Sequence, residues 1–264
     1  MAEQIDQSVL IVVKAYPEPS RRAGESSCTA GIAENGEWVR WFPLNWRSLR
    51  PRQKFQKYDW VRASVSPSRD RRRESFVPDP DTVQVMRHVG TAHGWKERRD
   101  VVVPHAAASM CELAAERDDR EQSLGVVRVR NLNNFVVEVS SAEWRAEQEA
   151  YVRQLNLFSQ QAASPLEKIP FQFSYSWTCS APACSGHTQI TVDWEVHQSY
   201  RNWSREYGAA WQEKMREKYF DFMRSRDLYF FVGTMFRHPG TWIVIGNFYP
   251  PRDEPRPQRQ GALL

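Results

Sequence analysis

Cysteine is scarce in this chain. Four in 264 residues are too few for a disulfide framework at this length, which points to a reducing compartment. Long apolar runs are missing too: the longest early one, Val9 to Val13, is far short of the roughly 20 residues that span a bilayer, and no basic segment precedes it. The expectation is a soluble, cytoplasmic protein without membrane attachment. There is no Gly-rich phosphate loop, no Gly-x-Ser-x-Gly elbow and no His-Glu-x-x-His helix, which sets aside the enzyme classes built on those motifs. No internal repeat recurs at a period of roughly 20–50 residues.

What is present is a folded chain. Hydrophobic residues make up 41% and tryptophan appears eleven times, enough to bury a sizeable core, and the length suits two units. Net charge is only +4, but it is unevenly spread. Between Arg40 and Arg73 eleven basic residues face two acids, Asp59 and Asp70, so the remainder of the chain is net acidic. Threaded among them are Trp41, Phe42, Trp46, Phe55, Tyr58 and Trp60. Arginines for phosphate oxygens and aromatic faces for unstacked bases are the ingredients of a single-strand groove. Arg40, Trp41, Arg47, Arg50, Arg52, Lys54, Lys57, Arg71, Arg72 and Arg73 are therefore the candidate nucleic-acid contacts, with DNA or RNA, single-stranded, as the expected partner. At least half of the aromatics must be core under any reading, since β strands need them there.

Short strands fill the first hundred residues. Val9–Ala15, Ser27–Ile32, Trp38–Pro43 and Asp59–Val65 read as strands, and Asn35-Gly36 as a hairpin turn whose residues accept positive φ. Ser66–Pro80, rich in Pro, Ser, Asp and Arg, reads as a loop or arm. His105–Glu121 reads as a helix, Leu124–Val129 and Phe135–Val139 as strands around an Asn131–Asn134 turn, and the segment from Ser140 to Leu157 as a helix. In the Cys28-x-Ala30-Gly31 strand, the short turn and the Trp38-Val39-Arg40 strand, the chain resembles a family of uncharacterised bacterial proteins with a dual OB-containing domain. Over the first hundred and forty residues or so, that resemblance implies an oligonucleotide-binding type of barrel. The Trp-Phe-Pro after Arg40 departs from the family pattern.

The second unit carries the sharpest motif. Phe171, Phe173, Tyr175 and Trp177 alternate with polar partners and deliver the chain into Cys179-Ser-Ala-Pro-Ala-Cys184-Ser-Gly-His187. Two sulfurs and an imidazole on one tight turn are what Zn²⁺ needs, and half of all the cysteines fall in it. Cys179, Cys184 and His187 are the candidate metal ligands. The fourth place is open to Cys28, Cys111, His105, His197, a carboxylate or water. Gln189 to His197 alternates strictly, which on a strand would aim Asp193, Glu195 and His197 at one point, with neighbours roughly 6.5–7 Å apart. That motivates an alternative reading, a metal-dependent nuclease using Mg²⁺ or Mn²⁺ at Asp193 and Glu195, although His197 stands where such enzymes carry lysine. A protein-interaction scaffold is the further alternative.

Tyr200, Trp203, Tyr207, Trp211, Met215, Tyr219 and Met223 form an apolar stripe along a helix expected from Ser199 to Arg226, followed by a hairpin of Leu228–Phe236 and Trp242–Tyr249. The fold expected is α+β: an OB-like barrel unit (1–141), a helix and linker (142–166), an antiparallel sheet with a zinc knuckle packed on a long helix (167–251), and a disordered tail (252–264).

Overall fold

The computed structural model describes residues 4–21, 24–69, 72–117, 122–151, 166–236 and 238–252. Seven strands build the first sheet: β1 (Ile5–Lys14), β2 (Glu18–Ser20), β3 (Gly24–Ala33), β4 (Trp38–Leu44), β5 (Asp59–Pro67), β6 (Ser75–Pro78) and β7 (Gln84–His88). Five of them close a barrel in the order β1-β3-β4-β6-β5 and back to β1. All its pairings are antiparallel except β4–β6. Alternation along β1 explains its place. Val9 and Ile11 point into the barrel with Trp41, Val61 and Val65, while Leu10 and Val12 point out.

Where β1 and β3 cross, their backbones nearly touch. A Cβ added at Gly31 would sit 2.1 Å from the Leu10 carbonyl oxygen, which only glycine avoids. Asn35-Gly36 makes the expected turn, with Gly36 at φ 85°. Ser66–Pro80 corrects the sequence reading: it is no arm, since Ser75–Pro78 forms β6, the strand that closes the barrel. Its polar composition hid a strand that pairs on both edges.

The second sheet runs β10 (Asn131–Val139), β11 (Phe171–Thr178), β12 (His187–Thr191), β14 (Trp242–Phe248), β13 (Tyr229–Thr234), β9 (Leu124–Arg128) and β8 (Ala106–Ala107). It is mixed rather than antiparallel, because β12 meets β14 and β8 meets β9 in parallel. The chain leaves β12 through helices and returns by way of β13 before β14 lies beside it. β9 and β10 belong to this sheet, so the first unit ends well before residue 141. Alternation marks a strand but not which sheet takes it. The expected turn at Asn131–Asn134 lies inside β10.

The two sheets share a core. Leu10 and Val12 of β1 pack with Val126 of β9, Tyr229 and Phe231 of β13 and Phe248 of β14. A separate cluster fills the far side of the second sheet, where Phe173, Tyr175 and Trp177 are fully buried against Met215, Tyr219 and Met223. Those last three lie on the expected stripe, but the helix is broken. It consists of α3 (Trp194–Glu206), a 3₁₀ turn (Gly208–Ala210), α4 (Trp211–Arg216) and a π-helical segment (Glu217–Phe222). Gly208, at φ 52°, ends α3 in the left-handed conformation that commonly terminates helices. Shorter helices precede these, among them α1 (Ala92–Val102) and α2 (Met110–Ala115), the latter a fraction of the helix expected over His105–Glu121. The helix expected from Ser140 to Leu157 begins only at residue 146 and is described to residue 151; residues 152–165, which include most of the linker, lie outside the described residues, as does the tail after Arg252. Among the described residues no helix is long and apolar enough to cross a membrane.

Candidate metal centre

β11 ends at Thr178, and Cys179 follows as the chain turns away, fully buried. The Cys184 amide donates to the Ala181 carbonyl (3.1 Å), and Gly186 at φ 106° reverses the chain so that His187 opens β12. A third cysteine arrives from elsewhere. Ser109 caps α2 by accepting from the Glu112 amide (3.0 Å), which fixes Cys111 in the first turn facing the knuckle. The Ser180 hydroxyl donates to the Ala108 carbonyl and ties the two segments together.

The donor atoms converge. Cys111 Sγ lies 3.6 Å from Cys179 Sγ, and His187 Nε2 lies 3.4 Å from Cys179 Sγ, 3.3 Å from Cys184 Sγ and 3.8 Å from Cys111 Sγ. All four atoms fall within 4.8 Å of one another. Sulfur ligands at about 2.3 Å and nitrogen at about 2.0–2.1 Å, set on a tetrahedron, stand about 3.8 Å apart for S–S and about 3.6 Å for S–N. The one sulfur pair, at 3.6 Å, and the three sulfur–nitrogen separations, at 3.3–3.8 Å, lie close to those edges, so a Cys₃His set could hold a metal ion. Burial pushes the Cys179 thiol up, but hydrogen bonds from His187 and from the Ala181 and Cys111 amides outweigh it and bring it down to about 6. Burial and its bond with Cys179 raise the Cys111 thiol to about 11.

Cys111 thus fills the place left open in the sequence. Cys28 and His105 stand apart from the cluster, and the His105 ring edges onto Trp38 instead. A local signal that could have placed Cys111 is Ser109 with Glu112 three residues on, a helix-capping pair that puts the cysteine in the first turn. Nothing local says which way that turn faces.

Asp193, Glu195 and His197 do not share a strand face, which corrects the alternation reading. β12 stops at Thr191, and Asp193 caps α3, its Oδ1 accepting from the Glu195 amide (3.0 Å). An aspartate before a Trp-Glu first turn is a helix start that the alternating pattern masked. His197 is core. Burial lowers its imidazole to about 4, its Nδ1 bonds the Asp193 carbonyl oxygen (2.9 Å) and its ring stacks on Tyr16. The carboxylates already hold a cation: the Lys57 ammonium donates to Asp193 Oδ2 (2.8 Å) and Glu195 Oε2 (3.0 Å). Asp193 Oδ2 also accepts from the Asn247 amide and side chain, each at 3.1 Å. Burial works against the Lys57 charge, yet Asp193 and Glu195 outweigh it and hold the amine well above the usual lysine range. A divalent ion would have to displace that lysine.

The basic stretch is largely spent inside the fold. Arg40, 2% exposed, bonds Glu74 (3.1 Å), Ser75 (3.3 Å) and Ser123 (2.8 Å), joining barrel to second sheet. Trp41 is buried and donates to Gln7 (3.1 Å). Arg47 pairs with Glu25 at 2.6 Å, and Arg50 with Asp81 at 3.1 Å on the surface. Arg72 is half-buried and reaches the Thr234 carbonyl (3.3 Å). Arg52, Lys54 and Arg73 are exposed, and Arg71 lies outside the described residues. The neutralising acids come from other parts of the chain, where a local charge count does not look.

Comparison with known families places the chain in two pieces. Residues 105–263 match a domain of unknown function, DUF8757, and residues 5–104 match a second one, DUF8758. The chain belongs to the DUF8757 family. All four metal-ligand candidates lie within the DUF8757 match, while the basic stretch and the closed barrel lie within DUF8758. The seam between the matches, at 104/105, falls just before β8, the first strand of the DUF8757 sheet. No curated protein matches the chain.

Proposed function

We propose that this protein holds one structural Zn²⁺ at Cys111, Cys179, Cys184 and His187. The observation that carries the reading is the agreement of the donor separations with tetrahedral edges. Three thiolates and an imidazole are a zinc donor set, and four protein ligands leave no open position for substrate, so the metal supports the fold rather than a reaction. Its work is to pin α2, only six residues long and too short to persist alone, to the β11–β12 knuckle. Four free thiols suit the reducing cytoplasm. Elemental analysis of the purified full chain tests the proposal: one zinc per chain, lost together with thermal stability in Cys184→Ser, is the expected result. A metal-free wild-type chain with an unchanged melting temperature would reject it.

A second reading, nucleic-acid binding by the first unit, is favoured by one observation. Counted within the barrel, the strands close in the order first-second-third-fifth-fourth, with the third and fifth parallel, as in an OB fold. In such barrels the loop between the fourth and fifth strands contacts ligand, and here that loop carries Arg69, Arg72 and Arg73. The usual face on the second and third strands is covered, since Ala30, Ile32 and Trp38 pack on the second sheet. Binding would therefore run along the rim, through Arg52, Lys54, Arg72 and Arg73. Anisotropy of a labelled single strand across a salt series tests it, and no change in Arg72→Ala/Arg73→Ala would discard it. The nuclease reading is not carried forward, because Lys57 fills the carboxylate site.

A further inference from the structure

A further positive surface lies on the other unit. Two adjoining grooves, about 450 and 500 Å³, open at the seam of β9, β10 and the end of the π-helical segment. Arg128, Arg130, Arg224, Arg226 and Arg252 line them, with a single acid, Asp227. These arginines are scattered along the sequence, so no local count reveals them.

The acid is already engaged. Asp227 accepts from Arg99 (3.2 Å) and Arg128 (2.8 Å). Among the described residues, Arg130, Arg224, Arg226 and Arg252 have no carboxylate within ion-pair distance. Three of them are nonetheless held in place, while Arg130 is exposed. Arg252 donates to the Arg224 and Arg226 carbonyls (2.8 and 3.3 Å), while Arg224 and Arg226 lie over the Phe220 and Phe222 rings (4.9 and 4.5 Å). Carbonyls and ring faces orient guanidiniums without neutralising them. The Nε of Arg226 is buried with no hydrogen-bond partner, a donor left open beside the groove. Four like charges positioned together repel one another, and an arriving anion relieves that repulsion.

We infer that this groove binds the phosphates of a polyanionic chain, a nucleic-acid backbone or an inorganic polyphosphate. Guanidinium forks match phosphate oxygens in pairs, and several in a row favour a ligand with several phosphates over a single one. Among the described residues that line the grooves none is aromatic, so recognition is of backbone charge and not of sequence. The inference requires neither the zinc nor the barrel-rim reading.

The test uses the full chain with two probes, a labelled oligothymidine strand and inorganic tripolyphosphate as competitor, between roughly 50 and 200 mM salt. Arg130→Gln/Arg226→Gln should weaken binding of both probes at least tenfold at an unchanged melting temperature. It should also make the strand's salt slope shallower by about 1.4, at about 0.7 for each phosphate no longer neutralised. Arg87→Gln, at an exposed arginine paired with Glu97 and part of neither surface, should leave binding as it is in wild type; weakening confined to Arg52→Gln/Lys54→Gln would support the rim reading and overturn this one. Strand binding without competition by tripolyphosphate would assign the groove to nucleic acid, and the converse to polyphosphate. Should the double variant fold poorly, Arg130→Gln alone, at an exposed position, carries the same readout. Equal affinity in wild type and groove variants, or no binding of either probe, refutes the inference.

Discussion

Replacing Lys57 with methionine should expose how the two units are held together. In the wild-type chain its ammonium lies against Asp193 and Glu195, 136 and 138 residues away. Asp193 is fully buried, so Lys57→Met leaves a carboxylate in the interior with only the Asn247 donors and its cap bond. Stranding one partner of a buried pair costs about 3–5 kcal/mol. Glu195 is 45% exposed at its side chain, is solvated by water and adds little to that figure. Asp193→Asn should recover part of the loss when combined with Lys57→Met, because the amide removes the stranded charge and still caps α3. Urea unfolding of the four proteins of this cycle measures the coupling. The pH dependence supplies a second check. Without Lys57 the burial of Asp193 raises its folded-state pKa above the unfolded value, so folding takes up a proton and the penalty shrinks as pH falls. A Lys57→Met cost below about 1 kcal/mol, flat with pH, would show that the pair does not carry the weight assigned to it here.

Three further outcomes are expected. His197 titrates at about 4 in the fold against about 6.5 when unfolded, so its contribution is complete above that upper value and is lost as pH falls toward 4. At pH 4.5 the loss is about 2–3 kcal/mol, and unfolding free energies from urea curves of wild type and His197→Phe should diverge by about that much between neutral pH and 4.5; parallel profiles would contradict the assignment. Gly31→Ala should cost about 3 kcal/mol, read as a drop of about 2–4 °C in melting temperature per kcal/mol, because the new methyl meets the Leu10 carbonyl; an unchanged Tm would mean that β1 and β3 separate freely. Stripping metal with a chelator should lower the melting temperature of wild type and leave that of Cys111→Ser nearly unmoved, which calorimetry with and without added zinc would show.

Features with a local cause were readable in the sequence. Phe173, Tyr175 and Trp177 alternate because one face of β11 is buried, and the Asn35-Gly36 turn follows from two residues that tolerate positive φ. Cys179, Cys184 and His187 could be paired because a single turn holds them. Features made by distant contacts could not be read this way. Cys111 meets His187 across 76 residues, and Arg40 meets Ser123 across 83. The error at Asp193 has a different origin: polar and apolar residues alternate over the last strand residues and the first helical turn alike, and the capping aspartate, not the period, marks the switch. The basic stretch misled because charge was summed along the chain, whereas Glu25, Glu74, Asp81, Asp193 and Glu195 approach it through space.

The apolar seam between barrel and sheet has a consequence for anyone who cuts the chain at residue 104. Leu10, Val12 and Ile32 on one fragment, and Val126, Tyr229 and Phe231 on the other, would then face water as complementary greasy surfaces. Each fragment alone should be poorly soluble, and co-expressed they should recombine. A matched pair of that kind is a ready-made split protein, in which reassembly reports that the two halves have met.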